Sequence, residues 1–455
     1  MIRFIAAFYV FIQAFLSFFG STTETGKTWH FKDVPYFQSG VICDTVYDTG
    51  SGLLSDIEVV PEKSGKMQLV SSLERKDFEI YRAMLDKKEF SEVYSNDTGA
   101  VTCSAYRKNG KLYYLYYCEK LGEARFIEDN VTKNFEDFGY TYSEGTSATV
   151  YQFDYPYVDP VQKTDKELYS TNGMLYIIRL ADNSLVVIDG GSIKQSSNQN
   201  IEECMKFMRK ITGTEEGEKV RIALWYGTHG HSDHVTFFYK LLGFHYADID
   251  LERVMFNYPS HAIIAHAPRV DMFRERLALL YPGVKYLAPH TGMSFNIANM
   301  KIDVLYTHED AVSALDGTTP IENANDSSMV CRLSANGKSF LVLGDLNILG
   351  EEKIANIYGN EVFQADVLQA AHHFFNANPI IFENSKSAWV LCPISQGRAK
   401  ASFPGYMTAK NFYADEQLLF ADDSLYGIEL CDELTLTVDR TQCGPYDGSS
   451  MNRIK

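Results

Sequence analysis

The 455 residues contain no dense run of lysine and arginine, no cysteine pair at the spacing of a zinc knuckle, no internal repeat and no low-complexity tract. Each absence removes a class of protein. Without a basic run, and with 59 acidic against 42 basic residues, the net charge of −17 repels a phosphate backbone at long range, so a nucleic-acid partner is disfavoured. Long apolar stretches are equally scarce, and past the first twenty residues none could span a bilayer, which excludes a polytopic membrane protein. Hydrophobic residues at 45% and charged residues at 22% are near the globular average, which argues against wholesale disorder.

The exception is the N-terminus. Arg3 precedes an apolar run from Phe4 to Phe19 that is broken only by Gln13 and Ser17, the pattern of an export signal. Phe18 and Phe19 leave no clean small-x-small cleavage site. Residues 1–25 are therefore expected to be a signal peptide or a membrane anchor, giving a secreted or membrane-anchored extracellular protein. Export would put the eight cysteines where disulfides persist. Cys103 and Cys118 flank a turn at Lys108-Asn109-Gly110 and are placed to face each other across a hairpin; Cys431 and Cys443 bracket a similar segment. Cys204, Cys331 and Cys392 sit in apolar segments, as buried free thiols do.

Length allows two or three domains at roughly 150 residues each. Residues 26–160 are rich in Tyr, Phe, Val and Thr, with one helical stretch from Glu74 to Glu92, and read as a β-rich domain without a legible function. Pro156, Pro160 and the polar run after them mark the boundary. From about 165 to 445, β runs such as LVVID alternate with amphipathic helical stretches such as Asn200 to Ile211, which predicts a layered α/β or α+β domain.

Five of the eleven histidines fall in two short clusters, THGHSDHV at 228–235 and AHHF at 371–374. The first follows the apolar strand Arg221 to Tyr226, so His229 and His231 alternate on a loop leaving the strand while Asp233 and His234 open a helix. Three imidazoles and a carboxylate then converge from one turn of chain, a donor set suited to zinc and neighbouring divalent metals. One buried histidine is usually structural. Four ligand-type residues at His-x-His-x-Asp-His spacing are not.

This motif resembles the signature of the metallo-β-lactamase fold superfamily, whose fold is a four-layer αββα sandwich. Asp189 in LVVIDGG is similar to the strand-end aspartate that supports the site from behind, and Asp345 in FLVLGDLN to the carboxylate that bridges two metals. DVLQAAHHF and NANDSSMVCRL resemble elements of the ComEC/Rec2-like branch. The resemblance covers roughly residues 170 to 440, with its motifs in order. It implies His229 and His231 on a first metal, Asp233 and His234 on a second, and Asp345 between them. His372, first after its strand, is the expected further ligand, with Asp233 and His373 as catalytic residues and His373 orienting the ligand or binding substrate; one residue of register would exchange the two histidines. Asp189, His308 and Asn325 are expected behind the metals or against the substrate, although a solvated loop suits His308 as well.

Two departures stand out. No clear histidine fills the place between the first motif and Asp345, where His261, His266, His290 and His308 are candidates, so the first metal is the less well supplied. Phe374-Phe375 replaces the Gly-Ser that usually follows the histidine pair in the branch, which reshapes the pocket mouth. The expected cofactor is one or two zinc ions, with manganese or iron as alternatives. The expected activity is metal-dependent hydrolysis of a small-molecule or cell-envelope phosphoester or phosphodiester. The competing readings are a lactone, thioester or β-lactam hydrolase, and a cell-surface binding protein with a degenerate metal domain.

Overall fold

The runs Leu175–Arg179, Leu185–Asp189 and Val220–Tyr226 are buried on both faces, as strands are when helices cover one side and a second sheet the other. The structure, a computed structural model, describes residues 29–439 apart from 44–46, 50–53, 56–57, 60–64, 144, 154–172, 260–275, 313–320, 322–323 and 422–424. The apolar N-terminal run, the Pro-rich linker, His261, His266 and Cys443 lie outside the described residues. Among the described residues no helix is long and apolar enough to cross a membrane.

Those three strands belong to a nine-stranded sheet that runs from Lys285–Leu287 at one edge to Thr435–Asp439 at the other. An eight-stranded sheet faces it, ordered from Tyr140–Thr141 through Met300–Tyr306, Val330–Ala335, Lys338–Val342, Val367–Gln369 and Trp389–Cys392 to Leu418–Phe420. Their inner faces share one core, in which Ile178, Val186, Leu224 and Tyr226 meet Ile302, Val304, Leu333 and Phe340. Helices Asn198–Thr212 and Ser232–Phe244 cover the outer face of the first sheet through Ile201, Met208, Phe238 and Leu241. Helices Ile348–Tyr358 and Pro379–Ser385 cover the other through Ile354, Ile381 and Phe382. The result is the four-layer αββα sandwich. Its helices begin and end where local chemistry says they should: the Ser197 hydroxyl caps Asn198–Thr212 at Asn200 N, and Gly213 ends it at φ +69°.

Residues before 130 form a third, seven-stranded sheet with helix Arg75–Lys87 on one face. Its other face is not a free surface. Met67, Cys103, Tyr114, Tyr116 and Ile127 join the sandwich core itself. The boundary near 160 is misplaced, because Ala148–Gln152 already pairs with Leu175–Arg179 and Leu425–Leu430 as a strand of the nine-stranded sheet, and Tyr140–Thr141 pairs with Ser294–Ala298. The Cys103–Cys118 pairing also fails. The two-residue turn at Asn109-Gly110 sets Cys103 opposite Tyr116 and Cys118 opposite Val101, leaving both thiols free and buried, which pushes them well above their ordinary pKa range.

What positions the site is strand direction. Leu185–Asp189, Val220–Tyr226 and Arg253–Met255 run parallel in one sheet, and Lys338–Val342, Val367–Gln369 and Trp389–Cys392 run parallel in the other. Their C-terminal ends bring Asp189, residues 228–234, Asp345, the 372–373 pair and Pro393 to one edge of the sandwich. The cross-sheet bond from Met329 N to Thr228 O, 2.9 Å, closes that edge.

Candidate metal centre

Asp189 ends its strand in a left-handed conformation at φ +56°, which a non-glycine residue adopts only where its surroundings hold it. Its carboxylate accepts hydrogen bonds from Thr228 N at 2.6 Å, Thr228 Oγ1 at 2.8 Å and His234 Nδ1 at 2.6 Å. With the Thr228 proton given to Asp189, His229 Nδ1 is the donor in its 3.2 Å contact with Thr228 Oγ1. His373 Nδ1 donates to the carbonyl of Pro393 at 2.7 Å. The network thus puts a proton on Nδ1 of all three rings and turns Nε2 of each toward the same space.

Those Nε2 atoms, of His229, His234 and His373, are buried with no hydrogen-bond partner among the described residues, and so is Oδ1 of Asp345. His234 Nε2 and His373 Nε2 lie 3.1 Å and 3.4 Å from Asp345 Oδ1, and His229 Nε2 lies 3.9 Å from Asp345 Oδ2. Leaving a buried polar atom unpaired costs about 1–3 kcal/mol, so four on one point need a common partner. The donor atoms fall into two overlapping clusters, His229–His234–Asp345 and Asp233–His234–His373, with His234 in both. Imidazole nitrogens and carboxylate oxygens at this density fit a divalent cation.

The electrostatics agree. Burial raises the cost of charge on Asp345, yet the charged His234 beside it holds its carboxyl well below the usual range. Burial keeps His229 neutral, far below its ordinary value. His234 is pushed the other way: burial opposes its charge, but Asp345 and Asp189 together raise it well above 6.5. Its extra proton sits where a cation would replace it.

His372 is not in either cluster, contrary to the expectation that the first histidine after the strand is the ligand. Its Nδ1 donates to Asn347 Oδ1 at 3.0 Å, and its Nε2 accepts from Asn325 Nδ2 at 3.0 Å, so its lone pair is engaged. Its side chain is 21% exposed, against 3% for His373. The reason is the backbone. After Gln369 the chain leaves the sheet, and His372, His373 and Phe374 are all left-handed at φ +49°, +49° and +65°. Strand alternation therefore does not apply, and three such non-glycine residues cost roughly 1–2 kcal/mol each. Buried Gln369 helps to hold this loop: its Oε1 accepts from Leu343 N at 2.7 Å and its Nε2 donates to Gly344 O at 2.9 Å, joining the strand end before Asp345 to the one before His373.

His231 occupies the N-cap position of helix Ser232–Phe244 without a side-chain capping bond and sits at the rim, its ring centroid 4.8 Å from that of His229 but outside both clusters. Asp233, in the helix's first turn, has a side chain 30% exposed, with Oδ2 3.8 Å from His373 Nε2. His308 is neither solvated nor part of the clusters. It is fully buried, its Nε2 donates to Asn257 Oδ1 at 2.9 Å, and burial pushes its pKa down to about 4. Beside it, His290 Nδ1 donates to Glu309 Oε1 at 2.8 Å, so two of the candidates for the missing middle histidine belong to a buried polar network instead. That network reaches the N-terminal sheet: Arg125 Nε donates to Glu309 O at 3.1 Å and Tyr116 Oη to Asp310 Oδ1 at 3.1 Å. Asn325 stands at the site through His372. Residues missed in the sequence are Thr228, Asn347, Gln369 and Pro393; of these Asn347, two places after Asp345, had the clearest signal.

No protein-family model and no curated protein matches the chain. Among solved structures, CmlA, a diiron β-hydroxylase from Streptomyces venezuelae, aligns over 60% of this chain and 48% of its own at 12% identity and a TM-score of 0.30. This chain thus spans about half the length of that protein. The short form of human tRNase Z aligns over 64% and 99% at 12% identity and a TM-score of 0.29. MEM-A1, a subclass B3 metallo-β-lactamase from a soil metagenome library, aligns over 61% and 94% at 14% identity and a TM-score of 0.27. Likenesses this slight say nothing about substrate or metal.

Proposed function

We propose that the chain is a metal-dependent hydrolase on a metallo-β-lactamase-type sandwich, acting on phosphoester or phosphodiester bonds of a small molecule or a cell-envelope component. The observation that carries this reading is the convergence of three buried, unpaired Nε2 atoms on Asp345, in a chain whose motifs follow in the order of that superfamily. His229, His234, His373, Asp233 and Asp345 would hold the cation, with zinc as the first choice and manganese or iron accepted by the same donor types. A divalent cation there supplies an acidified water near neutral pH and positive charge for the developing oxyanion.

The chain's own residues account for the rest. Asp189 and Pro393 hold the Nδ1 protons of His234 and His373, so each ring offers Nε2 as its donor atom, that of His234 in exchange for its extra proton. Asp345 stays ionised. Asp233, on the exposed side, is placed to orient water. His372 and Asn325 form the neighbouring wall, with the His372 ring held between Asn347 and Asn325 and so fixed in orientation beside the metal centre. Phe375, 45% exposed and 5.0 Å from the His372 ring, flanks that wall with apolar surface. This favours an ester whose leaving or retained group is apolar over a polynucleotide, in line with the net charge of −17. An exported location rests on the N-terminal run alone.

Metal analysis of the purified protein, with turnover on phosphomonoester, phosphodiester, lactone and β-lactam panels, tests this. The expected result is at least one metal per chain and phosphoester turnover that Asp233→Ala abolishes. A metal-free protein without turnover would overturn the reading, and turnover confined to lactone or β-lactam would reassign the substrate.

A further inference from the structure

Asp345 and His373 arrive from different strands, and their approach depends on how the loops after those strands are joined. Gln369 joins them on the strand side. On the helix side the join is Asn376, whose Nδ2 has two hydrogens and uses both: one for Leu346 O at 3.2 Å, next to Asp345, and one for Glu351 Oε1 at 2.6 Å. Asn376 Oδ1 accepts from Asn378 N at 3.0 Å, so the amide has one orientation. Gly405 leaves room for this loop, since a Cβ there would run into the carbonyl oxygens of Phe374 and Asn376. The loop holds three consecutive left-handed residues and keeps its shape only while such bonds over-determine it.

Glu351 is 1% exposed, and its Oε2 has no hydrogen-bond partner among the described residues. Facing it are Asn376 and Asn378 from the loop, while Glu352 is the charged neighbour on its own helix. No residue from 374 to 378 is ionisable. Nothing there neutralises a carboxylate, and a buried charge without a partner is the costly case. Resting on the metal-centre reading above, we propose that Glu351, as a neutral carboxylic acid, is a positioning residue that through Asn376 holds the Asp345 loop against the His373 loop. Burial pushes its carboxyl up to about 8, so the acid form is the one present at neutral pH. Above that, ionisation puts a charge without a counter-charge in a buried setting. The first turn of the helix must then open to hydrate it, which draws Asn376 off Leu346.

The test compares full-length wild type, Glu351→Gln and Glu351→Leu for zinc affinity by chelator competition from pH 6.5 to 9.5. Amide exchange across residues 371–378 is followed in parallel. Glu351→Gln keeps the acceptor and cannot ionise; at pH 7 it should bind zinc as wild type does, whereas Glu351→Leu should bind about tenfold more weakly, the scale of a lost supporting contact behind a ligand. At pH 9.5 wild type should fall about tenfold below Glu351→Gln and exchange faster across the loop. A wild-type to Glu351→Gln affinity ratio flat across the range, or wild-type affinity in a folded Glu351→Leu protein, overturns the proposal. If Glu351→Leu does not fold, the Gln comparison decides alone. If wild type binds neither zinc, manganese nor iron, the metal-centre reading fails and loop exchange judges the tie: alkaline loosening in wild type but not in Glu351→Gln supports it, equal exchange overturns it.

Discussion

His234 Nδ1 lies 2.6 Å from Asp189 Oδ2, and neither side chain has measurable exposure. The same carboxylate holds Thr228 through two further bonds, so one residue sets the tautomer of a ligand and the conformation of the loop before His229. Asp189→Asn is nearly isosteric, yet it replaces one acceptor oxygen by a donor. With the amide turned to keep Thr228 N, its NH2 faces His234 and drives that ring's proton to Nε2, where it blocks the metal. Metal affinity is expected to drop by about 10–100-fold with little change in fold, read by chelator competition and circular dichroism. Unchanged affinity would mean that His234 takes its tautomer from elsewhere.

The two histidines of the 372–373 pair should separate by phenotype. His373→Ala removes a buried donor and is expected to weaken metal binding by at least about 100-fold. His372→Ala should leave metal content intact and lower kcat/KM roughly tenfold, the scale of a lost supporting contact beside the site, because the Asn347–His372–Asn325 chain that sets this wall is broken. Equal metal loss in both variants would put His372 back among the ligands.

These two predictions mark how far the sequence could be read. Asp189, His229 and Asp345 lie at or just past strand ends and His234 in the first turn of the helix that follows, where direction follows from periodicity; the alternation of apolar runs with amphipathic helices gives a layered domain, and the αββα order comes from the superfamily resemblance. The order of His372 and His373 was out of reach because three left-handed residues, none of them glycine, break the alternation that register arguments need. His308 was out of reach because the residues that bury its loop, Tyr116 and Arg125, lie 194 and 184 positions from their partners Asp310 and Glu309. The Cys103–Cys118 error was avoidable. A two-residue turn at Asn109-Gly110 pairs Lys108 with Lys111, which counts Cys103 to Tyr116.

Arg125 ties the N-terminal sheet into the sandwich. Its guanidinium, 1% exposed, donates to the carbonyls of Glu309 and Val312 at 3.1 Å and 3.4 Å and to Glu123 at 3.2 Å. Arg125→Met keeps the apolar volume but strands two carbonyls and a carboxylate. A loss of about 3–5 kcal/mol is expected in urea unfolding, in a single transition shared by sheet and sandwich. Two separated transitions would show instead that the N-terminal sheet folds as its own unit.

Acid should act on the same network. Burial disfavours charge on Glu309, but His290 at 2.8 Å and Thr307 Oγ1 at 2.6 Å more than offset it and hold the carboxyl at about 2. A folded-state pKa below the ordinary 4.5 means that the unfolded chain binds the proton more readily. The ion pair's contribution is therefore present in full above about pH 4.5 and disappears as pH falls toward 2, a swing of about 3 kcal/mol for a shift of this size. His290 titrates in the opposite sense: burial opposes its charge, Glu309 and Asp129 raise it, and its share is complete below 6.5 and lost as pH climbs through the raised value. Wild type should thus be most stable from this pair between those limits. Glu309→Gln removes the acid dependence, so the stability difference between wild type and variant should shrink from pH 5 to pH 2.5 in urea titrations. A difference that stays constant over that range would show that Glu309 is not the ionised partner of His290.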